Sequence, residues 1–254
     1  MPNLRLEKRT SPHGRVEKLH GGWRLALDPG PAGSYRLAQL DDYLNLSRNA
    51  FPHRAPFTLS LRARASNTSL PGTWGFGLWN DPFGFSLGFG GTRGRLPALP
   101  NSAWFFFASP ENHLSLRADQ PGNGALAGSF RAAHLPSLLF APAALALPLL
   151  LVPAASRVFR SLAASLFQHR WSQLSLSSSE WHDYAIDWQT HLVSFRVDGV
   201  LICETPAPRP PLGLVLWLDN QFAAWQPDGR IGHGTLATPP DCWVELSDIH
   251  LGSD

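Results

Sequence analysis

The sequence predicts an all-β protein built on antiparallel sheet, and three observations lead there. Tyr184, Ile186 and Trp188 alternate with Ala185 and Asp187, and Val193, Phe195 and Val197 alternate with Ser194 and Arg196. That period of two belongs to half-buried strands. Asp198-Gly199 follows the second run at once, and its glycine supplies the positive φ of a tight hairpin turn. The composition agrees, because 23 prolines, 22 glycines and only 16% charged residues suit short strands joined by turns.

The elements follow in order along one domain of 254 residues, a length ordinary for a single large β-sandwich. Residues 1–20 read as a poorly ordered, solvated start, with Arg5, Lys8, Arg9, Arg15 and Lys18 diluted by Glu7 and Glu17. Trp23 to Leu27 and Tyr35 to Leu46 read as strands on either side of the turn Asp28-Pro29-Gly30-Pro31. In Phe57 to Ser66, Phe57, Leu59 and Leu61 face one way and Ser60, Arg62 and Arg64 the other. Further strands are predicted at Gly72 to Trp79, Pro100 to Ala108, His113 to Arg117, Val200 to Cys203, Leu212 to Leu218 and Cys242 to Leu251.

Residues 125–172 interrupt this pattern and read as a helical, apolar insertion. Leu135 to Ser156 carries no charge, and Pro136, Pro142, Pro148 and Pro153 recur too often for a straight helix. Arg157 to Arg170 then reads as an amphipathic helix, with Val158, Phe159, Leu162 and Leu166 opposed to Arg157, Arg160, Ser161, Gln168 and His169. Three uses fit the segment. It is a cap packed on the sandwich, a peripheral membrane contact through residues 134–170, or a lid for a hydrophobic ligand or a dimer contact.

The order Trp181-His182-x-Tyr184-x-x-Asp187-Trp188, then Phe195-x-Val197-Asp198-Gly199, resembles the C-terminal half of family 16 glycoside hydrolases and the wider concanavalin A-like lectin/glucanase group. Gly72-Thr73-Trp74 with Leu78-Trp79, and the strand Cys242 to Leu251, resemble other strands of that family. The resemblance implies a jelly-roll sandwich of two antiparallel sheets, one of which binds carbohydrate. It also implies a retaining glutamate pair in a Glu-x-Asp-x-Glu strand. None of Glu7, Glu17, Glu111, Glu180, Glu204 and Glu245 has an aspartate two positions on, so that motif is missing. Where relatives place an aspartate for structural calcium this chain has Ser247, with Asp248 one step on, and no metal or cofactor is expected.

Carbohydrate or glycoconjugate binding is therefore the leading expectation. The predicted site is Trp79-Asn80-Asp81 together with Trp217, Asp219, Asn220 and Gln221, since indole faces cover sugar C–H groups while acids and amides fix hydroxyls. One alternative is a glycosidase using an unconventional pair, Asp81 and Asp219, with Glu111 as a further carboxylate; another is a membrane-associated or lipid-linked ligand-binding protein that works through the apolar insertion. Gly84-x-Ser86-x-Gly88 matches a hydrolase pattern but lacks the helix that Ser86 would need behind it. The ten histidines show no metal-ligand spacing, and His182 reads as structural. A net charge of +2 argues against a nucleic-acid partner. Cys203 and Cys242 read as free buried thiols unless their strands are neighbours. The start MPNLRLEKRTSPHGR has no apolar run like that of a signal peptide, so a cytoplasmic location, peripheral to membrane if the insertion reaches one, is expected.

Overall fold

The computed structural model describes residues 6–82, 95, 98–117, 119–132, 149 and 152–252. They form a jelly-roll sandwich of two seven-stranded antiparallel sheets and a small two-stranded one. The first sheet contains β1 (Glu7–Thr10), β4 (Leu37–Asp41), β6 (Thr73–Trp79), β7 (Asn101–Ala108), β8 (Gly124–Ala132), β9 (Phe167–Gln173) and β13 (Gly213–Asp219). Its spatial order is β1-β4-β13-β6-β7-β8-β9. The second contains β2 (Gly14–Leu19), β3 (Gly22–Leu27), β5 (Phe57–Ala65), β10 (His182–Trp188), β11 (Leu192–Val197), β12 (Val200–Pro206) and β16 (Cys242–Gly252). Its order is β12-β11-β10-β5-β16-β3-β2. The hairpin β14 (Gln221–Trp225) and β15 (Ile231–Thr235) stands apart, and the one described α-helix is α1 (Pro153–Leu166).

Side-chain alternation decides what each sheet buries. Along β5, Phe57, Leu59, Leu61, Ala63 and Ala65 are buried while Thr58 and Arg62 are exposed. Tyr184, Ile186 and Trp188 of β10 bury beside them, in register with Leu61, Leu59 and Phe57. From the first sheet, Trp74, Phe76 and Leu78, Phe105 and Phe107, and Leu214, Leu216 and Leu218 meet this layer. Tyr184 packs edge-on against Phe76 and Phe105 at centroid distances of 5.0 and 4.9 Å. The remaining residues of the first sheet's strands point to its outer face, where the cavity described below lies. The β11–β12 hairpin turns on Asp198 and Gly199, both at positive φ (51° and 78°), as a two-residue turn requires.

Several expectations need correction. The first twenty residues contribute two edge strands, because β1 pairs with β4 and β2 with β3. Their alternating charges, which read as a solvated start, are what edge strands carry against further pairing. His113 to Arg117 is a loop with a single bridge from His113 to Ala224, held by Ser115 Oγ donating to the Arg117 carbonyl. The expected insertion is narrower than residues 125–172, since β8 and β9 flank it as full members of the first sheet. Its apolar residues 133–148, 150 and 151, like Ser86 and its glycines, lie outside the described residues. Among the described residues no helix is long and apolar enough to cross a membrane.

The helix also starts earlier and is turned the other way. Pro153 opens it, a position where a missing N–H costs nothing. Ser156 and Arg160 are its buried polar residues, whereas Val158 and Leu162 are 59% and 56% exposed. Polar anchoring explains the inversion. Arg160 donates to the carbonyls of Ser115 (2.9 Å) and Trp225 (3.2 Å), and Trp225 Nε1 donates to Ser156 Oγ at 2.8 Å. The two cysteines are free. Cys203 on β12 and Cys242 on β16 are separated by three strands of one sheet, and Cys203 is only half-buried.

Candidate functional site

On the outer face of the first sheet the strand residues fall into rows across the strands. One row runs Leu37, Asp219, Thr73, Ala108, and the next runs Gln39, Trp217, Gly75, Phe106, Leu126. A third runs Asp41, Val215, Gly77, Trp104, Gly128, Trp171. Glycines alternate with indoles here for a steric reason. A Cβ on Gly75 would stand 2.6 Å from the Trp217 ring, and one on Gly77 would stand 2.6 Å from Trp104 Cβ. Their absence lets the large rings lie close to the sheet. Trp217 thus meets Trp104 and Phe106 (centroids 5.6 and 5.3 Å), Trp104 meets Phe130 (6.1 Å), and Phe130 meets Trp171 (4.6 Å).

Above this floor is a cavity of about 430 Å³, a size ordinary for small-ligand sites. Its far walls come from Leu114 and Leu116 of the 113–117 loop, Phe222, Ala223 and Trp225 of β14, and Ala163 of α1. The anchors from Arg160 and Ser156 fix α1 against that loop and β14. Polar side chains gather at one end: Tyr35, Gln39, Thr73, Asn112, Asp219 and Gln221.

Asp219 is organised there by its neighbours. Thr73 Oγ1 donates to Asp219 Oδ1 at 3.0 Å, the Gln221 amide donates to the same oxygen at 3.2 Å, and Trp217 Nε1 donates to Thr73 Oγ1 at 3.1 Å. Burial nonetheless pushes the Asp219 carboxyl up to about 7, against the lowering effect of those hydrogen bonds. Burial, then the charge of Asp219, raises the Tyr35 phenol. Two buried donors, Tyr35 Oη and Trp104 Nε1, find no hydrogen-bond partner among the described residues.

Of the residues predicted from sequence, Trp79, Trp217, Asp219 and Gln221 line the cavity. Asn220 does not. It is fully buried and braces three segments, accepting from the Arg36 amide (2.8 Å) and donating to the carbonyls of Ser34 (3.0 Å) and Leu236 (2.7 Å). Asn80 is likewise a brace, bonded to Leu99 O and the Asn101 amide. Asp81 is fully buried at φ 45°, ion-paired to Arg95, with its carbonyl held by Arg48 at 2.6 Å. Glu111 is exposed in a turn, and His182 ties the hairpin turn to Asp198 (2.7 Å). Ser247 donates to Asp248 at 3.0 Å beside a bulge in β16, and no cluster of metal-binding side chains occurs among the described residues.

The register also separates the expected acid pair. Asp219 is opposite Thr73, whereas Asp81 lies two residues beyond Trp79 at the other end of β6. The six strand steps from Thr73 to Trp79 alone put the two ends on the order of 20 Å apart, far beyond the 10 Å or so that paired carboxylates need. Sequence reasoning missed Trp104, Phe106, Phe130, Trp171, Gln39 and Tyr35. Trp104 and Phe106 lie in the all-apolar run Ala103 to Phe107, which carries no apolar/polar alternation to mark them.

No protein-family model and no curated protein matches the chain significantly. Solved structures with an overall likeness include a β-glucanase of Bacillus licheniformis, at 9% identity over 100% of this chain and 95% of that one, with a TM-score of 0.47. A legume lectin-like domain from Entamoeba histolytica has 9% identity over 98% and 90%, with a TM-score of 0.48. A GlcNAcα1-4Gal-releasing endo-β-galactosidase from Clostridium perfringens has 11% identity over 97% of this chain, which spans only 59% of its length, with a TM-score of 0.47. Likenesses this distant say nothing about activity, substrate or partner.

Proposed function

We propose that the protein binds a glycan or glycoconjugate in the cavity on the outer face of the first sheet and does not hydrolyse it. The observation that carries this reading is the end of β13, where Trp217 presents an indole beside Asp219, Thr73 and Gln221. An aromatic ring next to an acid, a hydroxyl and an amide answers both surfaces of a sugar, its C–H face and its hydroxyl edge.

Binding is favoured over hydrolysis by the carboxylate inventory. Asp219 is the single acid among the described lining residues, and residues 83–94 and 133–148, which are not described, contain no Asp or Glu. Two-carboxylate glycoside hydrolysis requires a partner within about 5–9.5 Å. A glycan array spanning the major sugar classes tests the reading. Retention on at least one class, weakened about tenfold or more by Trp217→Ala, is the expected result. Clean failure on every class sinks it.

A further inference from the structure

The cavity is two-ended, and the rows of residues across the sheet show why. Among the described residues, the polar side chains lining it belong to the corner where β4, β13 and the start of β6 meet, with Gln221, Asn112 and Tyr35 around that corner. Towards β8 and β9 the lining changes to Trp104, Phe130, Trp171, Leu116 and Ala163, with Pro82 and Pro100 beyond Trp79. From Asp219 to Trp171 the floor crosses four strand spacings and descends two rows, a diagonal of roughly 23 Å. A sugar bound at the acid end leaves most of that length to hydrocarbon. Between the ends, the 93%-buried Trp104 indole N–H has no hydrogen-bond partner among the described residues, and is a donor available to an acceptor oxygen.

We propose that the ligand is an amphiphilic glycoside, with its sugar against Asp219 and Gln221 and a hydrocarbon aglycone lying across β7, β8 and β9 beneath α1. This rests on the glycan reading above and specifies the other half of the molecule. An apolar aglycone explains what a free oligosaccharide does not, namely aromatic and aliphatic walls on both sides of the cavity far from any acid or amide. It also gives Ala163 a role, since a small residue at that helix position leaves the space under α1 open.

The test is a chain-length series. Butyl, hexyl and octyl β-glycosides of glucose, galactose and maltose, the free sugars, and 1-octanol are titrated into the full chain below their micelle concentrations, followed by calorimetry. Affinity should rise about threefold per added methylene, with octyl glycosides tighter than both the free sugar and octanol. Ala163→Trp should flatten that dependence, and the wild-type series stands alone if the variant does not fold. A flat chain-length series with measurable sugar binding overturns the amphiphile and leaves the glycan reading intact. Octanol binding as tightly as every octyl glycoside overturns the sugar end, and with it both proposals. Failure of every probe to bind overturns the amphiphile, and the glycan reading then stands or falls on the array.

Discussion

The two outer faces of the sandwich use the same residue types to opposite ends. On the second sheet Glu17, Arg24, Glu245 and Arg64 stand side by side across four strands. Glu245, only 4% exposed, accepts from Arg24 Nε at 3.0 Å and Arg64 Nε at 2.8 Å. The two guanidiniums stack on the Trp243 ring, and Arg64 also stacks on Trp181, at 4.9 Å. Burial raises the Glu245 pKa, but the hydrogen bonds and charges of Arg24 and Arg64 outweigh it and hold the carboxylate below its ordinary range. On the first sheet Asp219 has a hydroxyl and a backbone amide in place of arginines, and burial prevails. Burial likewise raises Asp41, despite the amide of Gln39. One face has its charges and rings matched within the protein. The other turns rings and an acid toward a cavity in which, among the described residues, no cation meets Asp219.

Breaking the matched face should cost most. Glu245→Ala leaves two arginines crowded together, and a loss of about 3 kcal/mol is expected, read by urea denaturation at pH 7. A loss near zero would mean the ladder is ornamental. Gly75→Ala attacks the other face. Its Cβ would lie 2.3 Å from the Phe105 carbonyl and 2.6 Å from the Trp217 ring, so a cost of about 2 kcal/mol should accompany a shift in tryptophan emission as that ring is displaced.

The contrast sharpens with pH. An Asp219 carboxyl raised to about 7 stays protonated in the folded chain while the unfolded chain ionises from about pH 4 upward. Its effect is a penalty that grows as pH rises from about 4 to 7 and is constant above. Asp219→Asn should therefore gain about 1–2 kcal/mol at pH 8 and nothing near pH 4, by denaturation at both values. Glu245 behaves the opposite way. Its depressed pKa contributes stability that is full above the unfolded carboxyl range and lost as pH falls through the folded value. The smallest effect is expected on the helix. Val158→Ser with Leu162→Ser should change stability by no more than about 0.5 kcal/mol, because both side chains face solvent. A larger loss would show that something covers them.

The strands of the second sheet were readable because only one of their faces is apolar. Along β5, β10 and β11 the period of two is clean, and Asp198-Gly199 marks its own turn. The first sheet is apolar on both faces, so Trp104 to Phe107 reads as one unbroken run, and nothing local tells which rings face the core and which face the cavity. That is why half the aromatic floor went unseen while Trp79 and Trp217 stood out beside their polar neighbours. Those neighbours misled in turn. Asn80 and Asn220 are connecting residues satisfied by backbone and Asp81 is paired with Arg95, and the residue types that close turns are also those that hold sugars. Helix α1 defeated periodicity because two polar anchors outweighed its apolar stripe.

The position of β16 carries a consequence for how the chain reaches this state. Cys242–Gly252 lies between β3 and β5 in the middle of the second sheet, so Glu245 meets Arg24 across 221 residues of sequence. During synthesis β3 and β5 leave the ribosome long before the strand that joins them. Until it arrives, each offers an open row of backbone donors and acceptors to any extended segment nearby. Assembly of the matched face is therefore a late, long-range event, slow by its topology. A nascent chain of this design depends on its last strand to stay out of aggregates.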